Sequence, residues 1–322
     1  MLKTSLFRNK YTALFLILLL CLSLFGCNEN KENIPDKGII SFTDDLGRQV
    51  TLSSSPERVA ALLGSFSDVW LLSGGTLSAA PEDAWSDFGL EDSECVNIGG
   101  AHSPSLETLI AAEPDFVIGS ASTSADVEML GALERMGIPV AYFDVDCFDD
   151  YLRMLDICTD ITGRKDLYKK NGTDIKKRID SIISDVHSAG LSEEKKTVLL
   201  LRASSGFVKA KGSKGTVLGE MLKDLGCINI ADSDTLLLEK LSIESIIQSE
   251  PYRIFVVTMG DDTARAEKQL ETLFSSNPLW KELSAVKENR LHIMDRKMFN
   301  LKPNAKWAES YEELGKILLE EQ

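Results

Sequence analysis

A fourteen-residue pattern occurs twice in the chain, and this repeat constrains the fold more than any other feature. Residues 105–118 read SLETLIAAEPDFVI, and residues 242–255 read SIESIIQSEPYRIF. Each copy has a serine suited to an N-cap, a glutamate in the first helical turn and a Glu-Pro pair before an apolar strand. The offset is 137 residues at the serine and at the proline. A helix that leads into a buried strand once in each half predicts two similar lobes.

Apolar strand segments alternate with helical stretches through the rest of the chain. This alternation is typical of parallel sheets covered by helices in α/β proteins. A chain of 322 residues with 43% hydrophobic residues is larger than one ordinary core, so we expect two domains. An alternating segment around Leu46-Gly47 predicts a small β-hairpin ahead of them. The predicted strands are 58–63, 115–119, 138–143, 197–202, 253–258 and 290–294.

Residues 164–189 predict one long amphipathic helix between the two lobes. Gly172 interrupts its pattern and costs the helix about 1 kcal/mol relative to alanine. We therefore expect an α/β fold of two Rossmann-like lobes with parallel central sheets, at 39–163 and 190–322, joined by this single helix. Its apolar face has helical spacing and consists of Ile175, Ile179, Ile182, Ile183 and Val186.

The N-terminus has the layout of a secretory signal, with basic residues followed by an apolar run. That run ends in LFGC at residues 24–27, which resembles a bacterial lipobox, where the cysteine becomes the lipid-modified new N-terminus. A transmembrane anchor is the alternative, but the polar NENKEN after Cys27 contains no basic stop-transfer cluster. We expect a signal peptide at 1–26, a lipid on Cys27 and a flexible tether at 27–38. The protein would then be exported and anchored to the outer face of the cytoplasmic membrane.

The charge balance excludes one class of partner. The chain has 35 basic and 50 acidic residues, and its first 26 residues hold three basic and no acidic ones. The mature chain therefore carries 32 basic and 50 acidic residues, a net charge of −18. Nucleic acid phosphates and an anionic bilayer both repel such a chain. We expect no nucleic-acid partner, and membrane contact through the lipid anchor only.

The remaining cysteines predict no metal site. Cys95, Cys147, Cys158 and Cys227 form no C-x-x-C pair, so structural zinc or an iron–sulfur cluster is not expected. Small buried thiols are one interpretation, and a Cys147–Cys158 disulfide in an oxidising compartment is the other.

Several segments, in one order along the mature chain, together resemble a known family. They are similar to the substrate-binding lipoproteins of ABC importers for ferric siderophores, haem and cobalamin, and the resemblance runs from about Ile39 to the C-terminus. The segments are DDLGRQVTLSSSPERVAAL, NIGGAHSPSLETLIAAEPDFVIGS, LERMGIPVAYFD, LSIESIIQSEP, NPLWKELSAVKENRLHIMD and FNLKPNAKWAESYEELGKIL.

The resemblance implies how such a protein works. Two parallel-sheet lobes, joined by one long helix, close slightly around a ligand. A glutamate on each lobe pairs with arginines of the permease, and the matching positions here are Glu107 and Glu244. The implied partners are a permease with its ATPase, and the protein would be a monomer with no catalytic residues.

Ligands of open α/β lobes lie beyond the carboxyl ends of the strands. Apolar and aromatic residues with a few cations at these ends suit a bulky, partly anionic metal chelate. We expect a ferric siderophore as ligand, with cobalamin or haem as alternatives, and no resident cofactor or metal. The candidate ligand-binding residues are Phe66, Trp85, His102, Arg202, Phe207, Met259, Phe299 and Lys302.

Four of these candidates have competing interpretations. Arg202 is equally suited to a surface ion pair, Trp85 to core packing and Met259 to filling an apolar gap. His102 and Met259 are residue types that bind haem iron.

Two other functional classes compete with a binding protein. One is an exported enzyme, but the chain contains no G-x-S-x-G or H-E-x-x-H motif. The other is a cell-surface sensor or adhesin with the same two lobes. KGSKGT at 211–216 resembles a phosphate-binding loop, but its Lys214 precedes Gly215 instead of following it.

Overall fold

A computed structural model of the protein describes residues 38–260 and 262–320. The predicted signal peptide, the lipidated Cys27 and the tether up to residue 37 lie outside these residues. Within the described ranges, no helix is both long enough and apolar enough to cross a membrane.

The first half of the chain folds around a parallel sheet. Its strands are β1 (Ile40–Thr43), β2 (Gln49–Leu52), β3 (Val59–Ala61), β4 (Leu77–Ala80), β5 (Val96–Asn97), β6 (Gly99–Gly100), β7 (Ser103–Pro104), β8 (Phe116–Ser120) and β9 (Val140–Phe143). Its helices are α1 (Gly64–Leu72), α2 (Asp83–Ser86), α3 (Leu106–Ala111), α4 (Ser124–Glu128), α5 (Leu130–Arg135) and α6 (Phe148–Thr162). The sheet order is β5-β4-β3-β8-β9 with every pair parallel, and the β1–β2 and β6–β7 pairs lie outside it.

The second half folds around another sheet. Its strands are β10 (Thr197–Ala203), β11 (Val208–Lys211), β12 (Ile228–Asn229), β13 (Arg253–Thr258) and β14 (Leu291–Met294). The sheet order is β11-β10-β13-β14, with β12 also paired to β10; β11 alone is antiparallel to its neighbour within this sheet as described. The predicted α/β class with two parallel-sheet lobes is confirmed, and the antiparallel edge strand β11 is an addition.

The helices of the second half cover both faces of its sheet. They are α9 (Glu193–Lys196), α10 (Val217–Asp224), α11 (Thr235–Lys240), α12 (Ile243–Ser249), α13 (Thr263–Ser276), α14 (Ser284–Lys287), α15 (Arg296–Phe299) and α16 (Trp307–Leu319). Short 3-10 turns occupy Ile230–Asp232, Pro278–Glu282 and Asn304–Lys306.

The predicted connecting helix is present, and it contains an irregular turn. It runs as α7 (Lys165–Tyr168), a π-helical turn (Lys169–Thr173) and α8 (Asp174–Ala189). A side-chain carbon at Gly172 would lie 2.9 Å from Leu152 Cδ2 on α6, so glycine lets the two helices approach closely. This close contact explains why a glycine interrupts the helical sequence pattern. The residue boundaries of the two lobes stay a prediction.

The two lobes share one of the hydrophobic cores, and each lobe also has a core of its own. A single cluster of buried side chains includes Phe143 of the first sheet, Leu200 of the second and Trp307 of the last helix. The Trp307 ring lies 5.9 Å from the ring of Phe148 and 6.4 Å from that of Tyr151, both on α6. The lobes are therefore joined by packed side chains as well as by the connecting helix.

A buried carboxyl group lies near the end of β8. Asp126 is fully buried, its Oδ2 accepts a hydrogen bond from the Ser120 N–H at 2.8 Å, and its Oδ1 has no partner among the described residues. Burial raises the pKa of Asp126 from 3.8 to about 7; the Ser120 hydrogen bond opposes this and the charge of Asp83 adds to it. The folded protein thus binds this proton more tightly than the unfolded chain does. The contribution of Asp126 to stability therefore falls as the pH rises from 4 to 7.

Replacing Asp126 by asparagine is expected to stabilise the protein at neutral pH. Asparagine keeps an acceptor for Ser120 and removes the buried charge, so the free energy of unfolding at pH 7 should rise by about 1–4 kcal/mol. Near pH 4 the difference should nearly vanish. Urea unfolding of Asp126→Asn and wild type across this pH range measures it, with exposed Asp180→Asn as control. Parallel stability curves for the two proteins would contradict the expectation.

Candidate functional site

The two copies of the repeat fold into matching helix–strand units. The first consists of α3 and β8, and the second of α12 and β13. In the first, the Thr108 N–H donates to Ser105 Oγ at 3.2 Å. In the second, the Ser245 N–H donates to Ser242 Oγ at 3.2 Å. Both predicted serine N-caps are confirmed.

Glu107 and Glu244 lie in the first turns of α3 and α12, and both side chains are exposed. A helix that enters a strand through a short turn runs antiparallel to it, so its N-terminus lies at the edge where that strand ends. Each glutamate is thus at the carboxyl edge of its own sheet. Ser242 Oγ also donates to Glu244 Oε2 at 3.0 Å. The docking role of the two glutamates stays a prediction.

The repeat extends to a backbone conformation that the sequence did not reveal. Glu113 and Glu250 have φ angles of 49° and 41°, in the left-handed region, immediately before Pro114 and Pro251. Their N–H groups donate to the preceding helical turn and close α3 and α12. Both residues are exposed, at the helix ends opposite the two predicted docking glutamates.

Loops from both lobes meet beyond the carboxyl ends of β9 and β10. Asp144 and Asp146 follow β9, and Arg202 lies near the end of β10. A side-chain carbon added at Gly215 would lie 3.8 Å from Asp146 Oδ2, so the loop before α10 approaches the first lobe here. Lys302 is partly buried in this region and interacts electrostatically with both aspartates and with Arg202. Asp144, Asp146, Arg202 and Lys302 mark the place where the two lobes meet. We call that place the interlobe cleft.

The polar groups of the interlobe cleft do not satisfy one another. Arg202 Nε and Asp144 Oδ1 are buried and have no hydrogen-bond partner in the described part of the chain. Burial lowers the pKa of Lys302; Asp146 and Asp144 oppose this, and Arg202 adds to it. Burial lowers the pKa of Arg202 as well, and Asp146 opposes that shift. Desolvated charges with free hydrogen-bonding capacity are suited to binding a polar ligand.

Asp146 interacts with the same set of charges. Burial raises the pKa of its carboxyl group; the charge of Asp144 adds to the shift, and Lys302 opposes it. The alternative interpretation of Arg202 as one half of a surface ion pair is not observed, because no acidic side chain within the described ranges pairs with it.

Two aromatic candidates lie in the core. Phe66 and Phe299 are each 1% exposed, and Phe66 packs edge to face against Phe143 at 6.5 Å. Phe66 follows the start of α1 at Gly64 by two residues, so the helix turns its ring inward. In this structure neither ring offers a surface to a ligand.

Trp85 is partly exposed at the carboxyl edge of the first sheet, where it packs against the shared core. Close by in sequence, Asp87 Oδ1 accepts a hydrogen bond from Arg296 Nη1 at 2.8 Å, which links α15 to the first lobe. Asn304 Nδ2 makes a second link, to the Ser65 carbonyl at 2.8 Å. The second lobe therefore reaches the first at the edge that carries Trp85.

The other candidates lie on loops. His102 is exposed in the turn between β6 and β7. Phe207 is 41% exposed beyond β10, and the Lys209 ammonium lies 5.0 Å from its ring centre. Met259 is partly buried, and its N–H donates to the Ala203 carbonyl at the end of β10 at 2.8 Å. The ligand roles of these residues stay predictions, as do those of Trp85, Arg202 and Lys302.

Sequence reasoning missed four charged residues of this region. Asp144 and Asp146 follow the correctly predicted strand 138–143, so the rule of strand carboxyl ends points to them too. Lys209 and Lys211 lie on β11, whose VKAK sequence alternates apolar and charged residues, a weak strand signal at this length.

The four cysteines that the structure describes, Cys95, Cys147, Cys158 and Cys227, are free thiols. Cys147 precedes α6, and Cys158 is buried on the same helix. Eleven helical residues separate them by about 16 Å, far beyond the reach of a disulfide. The alternative of a Cys147–Cys158 disulfide is therefore wrong. The described residues also contain no cluster of three or more His, Cys, Asp or Glu side chains that could hold a metal ion.

Comparisons with known proteins agree with this architecture. The Fe(3+)-citrate-binding protein YfmC of Bacillus subtilis (strain 168) is 25% identical over 310 residues, which cover 90% of this chain and 91% of YfmC. The probable siderophore-binding lipoprotein YfiY of the same organism is 23% identical over 306 residues, covering 89% of this chain and 91% of YfiY.

A solved structure shows the same fold. Staphylococcus aureus SirA, crystallised with staphyloferrin B, superposes with a TM-score of 0.65 at 20% identity, covering 87% of this chain and 97% of SirA. The family model described as periplasmic binding protein matches residues 59–298, well over half of the chain. The chain belongs to the periplasmic binding protein family.

Proposed function

We propose that the protein is the ligand-binding component of an ABC importer, which captures an iron chelate, most simply a ferric siderophore, between its lobes and delivers it to a permease with its ATPase. The observation that carries this proposal is the interlobe cleft, where Arg202 and Lys302 face Asp144 and Asp146 with hydrogen-bonding capacity unused. The names of YfmC and YfiY and the ligand of SirA support the same class of cargo.

The chemistry of the cleft fits such a cargo. A buried donor without a partner, such as Arg202 Nε, costs about 1–3 kcal/mol, which an oxygen atom of a ligand would recover. Ferric chelates present hydroxamate, catecholate or carboxylate oxygens on their surface. Guanidinium and ammonium groups bind such oxygens through short, charge-assisted hydrogen bonds.

Delivery needs a tether and a docking surface. We assign the tether to a lipid on Cys27, the residue that ends the lipobox-like sequence. The docking surface is assigned to Glu107 and Glu244, each exposed at the carboxyl edge of its sheet. The carrier works as a monomer and releases its cargo chemically unchanged, so no enzymatic step is part of this function.

Tryptophan fluorescence tests the proposal. Of the four tryptophans in the chain, Trp85 is partly exposed, while Trp70, Trp280 and Trp307 are buried at 2% exposure or less. Full-length protein in detergent is titrated with a ferric catecholate, a ferric hydroxamate, ferric citrate, haemin and cyanocobalamin. A ferric chelate is expected to quench the fluorescence saturably. Trp85→Phe should lose most of that quenching, and the matched control Trp280→Phe should keep it.

The panel separates the alternatives. Saturable quenching by haemin or cyanocobalamin alone would replace the iron chelate by one of these cargoes. A flat response to all five compounds would contradict a function in chelate binding.

A further inference from the structure

Two lysines lie on the edge strand of the second sheet, next to the interlobe cleft, and a third lies in the loop that follows this strand. Across the antiparallel pair of β10 and β11, Arg202 is opposite Lys209 and Leu200 is opposite Lys211. Opposite residues project from the same face of a sheet, and so do alternate residues of one strand. Arg202, Lys209 and Lys211 therefore project from one face. Arg202 on this face interacts electrostatically with Asp146 of the first lobe, so this end of the face lies near that lobe.

A cavity of about 690 Å³ adjoins this face. Lys209, Lys211 and Lys214 line it, together with the loop before α10, and we call these three residues the lysine row. This volume is in the range of small-molecule sites. The KGSKGT segment, unsuited to a nucleotide by its spacing, thus contributes two cations and a close backbone approach to a cavity beside the cleft.

The positive charge of the lysine row is not neutralised locally. No acidic side chain in the described ranges forms an ion pair with Lys209, Lys211 or Lys214. Asp232, whose Oδ1 accepts a hydrogen bond from the Ser213 N–H at 2.7 Å, also lines the cavity and keeps its negative charge. Lys223 lines it too, paired with Glu220 at 3.0 Å, so the lining as a whole still has a net positive charge. Burial lowers the pKa of Lys211, and the charges of Arg202 and Lys209 add to the shift.

An anion bound in the cavity would neutralise the positive charge of the lysine row. The chain has 50 acidic and 35 basic residues, so acidic partners for surface lysines are plentiful elsewhere. On the connecting helix, for example, Lys176 pairs with Asp180 at 3.0 Å. Like charges that lie close together repel one another, and a bound anion would remove that repulsion.

We propose that the chelate is polyanionic and that carboxylate groups extending from its iron centre bind along the lysine row, while the centre lies against Arg202 and Lys302. This inference rests on the proposed function and narrows its cargo to carboxylate-bearing ferric chelates. Uncharged hydroxamates would leave the lysine row unpaired. Haem has two carboxylates on one edge of a large apolar ring, so it would pair with only part of the lysine row.

Removing the lysine row tests the inference. The variant Lys209→Gln/Lys211→Gln/Lys214→Gln is compared with Lys169→Gln/Lys176→Gln/Lys177→Gln, which removes three exposed lysines from the connecting helix and changes the net charge equally. Both full-length variants and the wild type are titrated with ferric dicitrate, an anionic carboxylate chelate, and with ferrichrome, an uncharged ferric trihydroxamate.

The expected result is a selective loss. Wild type should bind ferric dicitrate at least about tenfold more tightly than ferrichrome, and the lysine-row variant should bind ferric dicitrate about 100-fold more weakly than wild type. Affinity of the wild type for ferric dicitrate should fall as salt is added, since partly exposed charges are screened. The connecting-helix variant should match the wild type with both probes.

Two results would overturn the inference, and they differ in what they leave standing. If ferrichrome binds more tightly than ferric dicitrate, or if the lysine-row variant binds ferric dicitrate as the control variant does, the polyanionic cargo is wrong and chelate binding stands. If no ferric chelate of either charge type binds, the proposed function and this inference fail together.

Discussion

Reversing the charge of both Glu107 and Glu244 to arginine is expected to reduce chelate uptake to the level of cells that lack the protein. The proposed partners are arginines of the permease, and an exposed ion pair alone contributes only about 0–1 kcal/mol. Charge reversal goes further, because it places like charges opposite each other at two separate points, which costs several kcal/mol. Docking should therefore weaken by at least about 100-fold.

The measurement is uptake of radiolabelled iron chelate together with ligand affinity of the purified variant. Affinity should remain that of the wild type, since both glutamates lie on exposed first turns outside the interlobe cleft. The repeat supplies a matched control in Glu113→Arg/Glu250→Arg, which makes the same charge change on the same two units at the opposite helix ends. Normal uptake by the Glu107→Arg/Glu244→Arg variant would exclude these residues as the docking contacts.

Truncation of Trp307 to alanine is expected to cause a large loss of stability for a single substitution. Trp307 is fully buried and packs against Phe148 and Tyr151 of the first lobe. Removing a buried tryptophan typically costs about 3–5 kcal/mol, from lost apolar burial and from the cavity left behind. The whole stability of an ordinary domain is about 5–15 kcal/mol, so the variant should unfold at much lower urea concentration.

Equilibrium unfolding in urea, followed by far-UV circular dichroism, measures this loss. Trp307 Nε1 has no hydrogen-bond partner among the described residues, so Trp307→Phe should lose packing alone and be milder than alanine. Leu236, at 56% exposure, provides the surface control, and Leu236→Ala should change stability by less than about 0.5 kcal/mol. A loss below about 1 kcal/mol for Trp307→Ala would contradict the role of this side chain in joining the lobes.

The architecture can be predicted from the sequence because its signals, such as helix caps and apolar spacing, involve residues close together in the chain. Ser105 and Ser242 act as N-caps as predicted, since an N-cap bond involves residues three apart. Apolar spacing predicts the long helix but not its π-helical turn, because that turn depends on the approach of Leu152 to Gly172. Strand β11 is not predicted from the sequence, because an edge strand of four residues has few apolar positions.

The site is harder to predict because it depends on side-chain direction. The rule of strand ends correctly places Arg202 and Lys302 near each other. The same rule also selects Phe66, yet β3 ends at Ala61 and α1 starts at Gly64, so that residue already lies on a helix and faces the core. The rule selects Asp144 as well. We do not predict it as a ligand-binding residue, because an anionic ligand favours cations and aromatic groups, and a carboxylate is not expected beside such a ligand.

The core shared by the two lobes has a consequence for how carrier and permease meet. A wide separation of the lobes would break the contact between Trp307 and Phe148, so we expect empty and loaded carriers to present nearly the same outer surface. On the proposed function, empty copies should therefore occupy the permease almost as readily as loaded ones. The proposed function then predicts that carrier produced beyond the number of permeases would slow import when cargo is scarce, so the ratio of carrier to permease would need regulation.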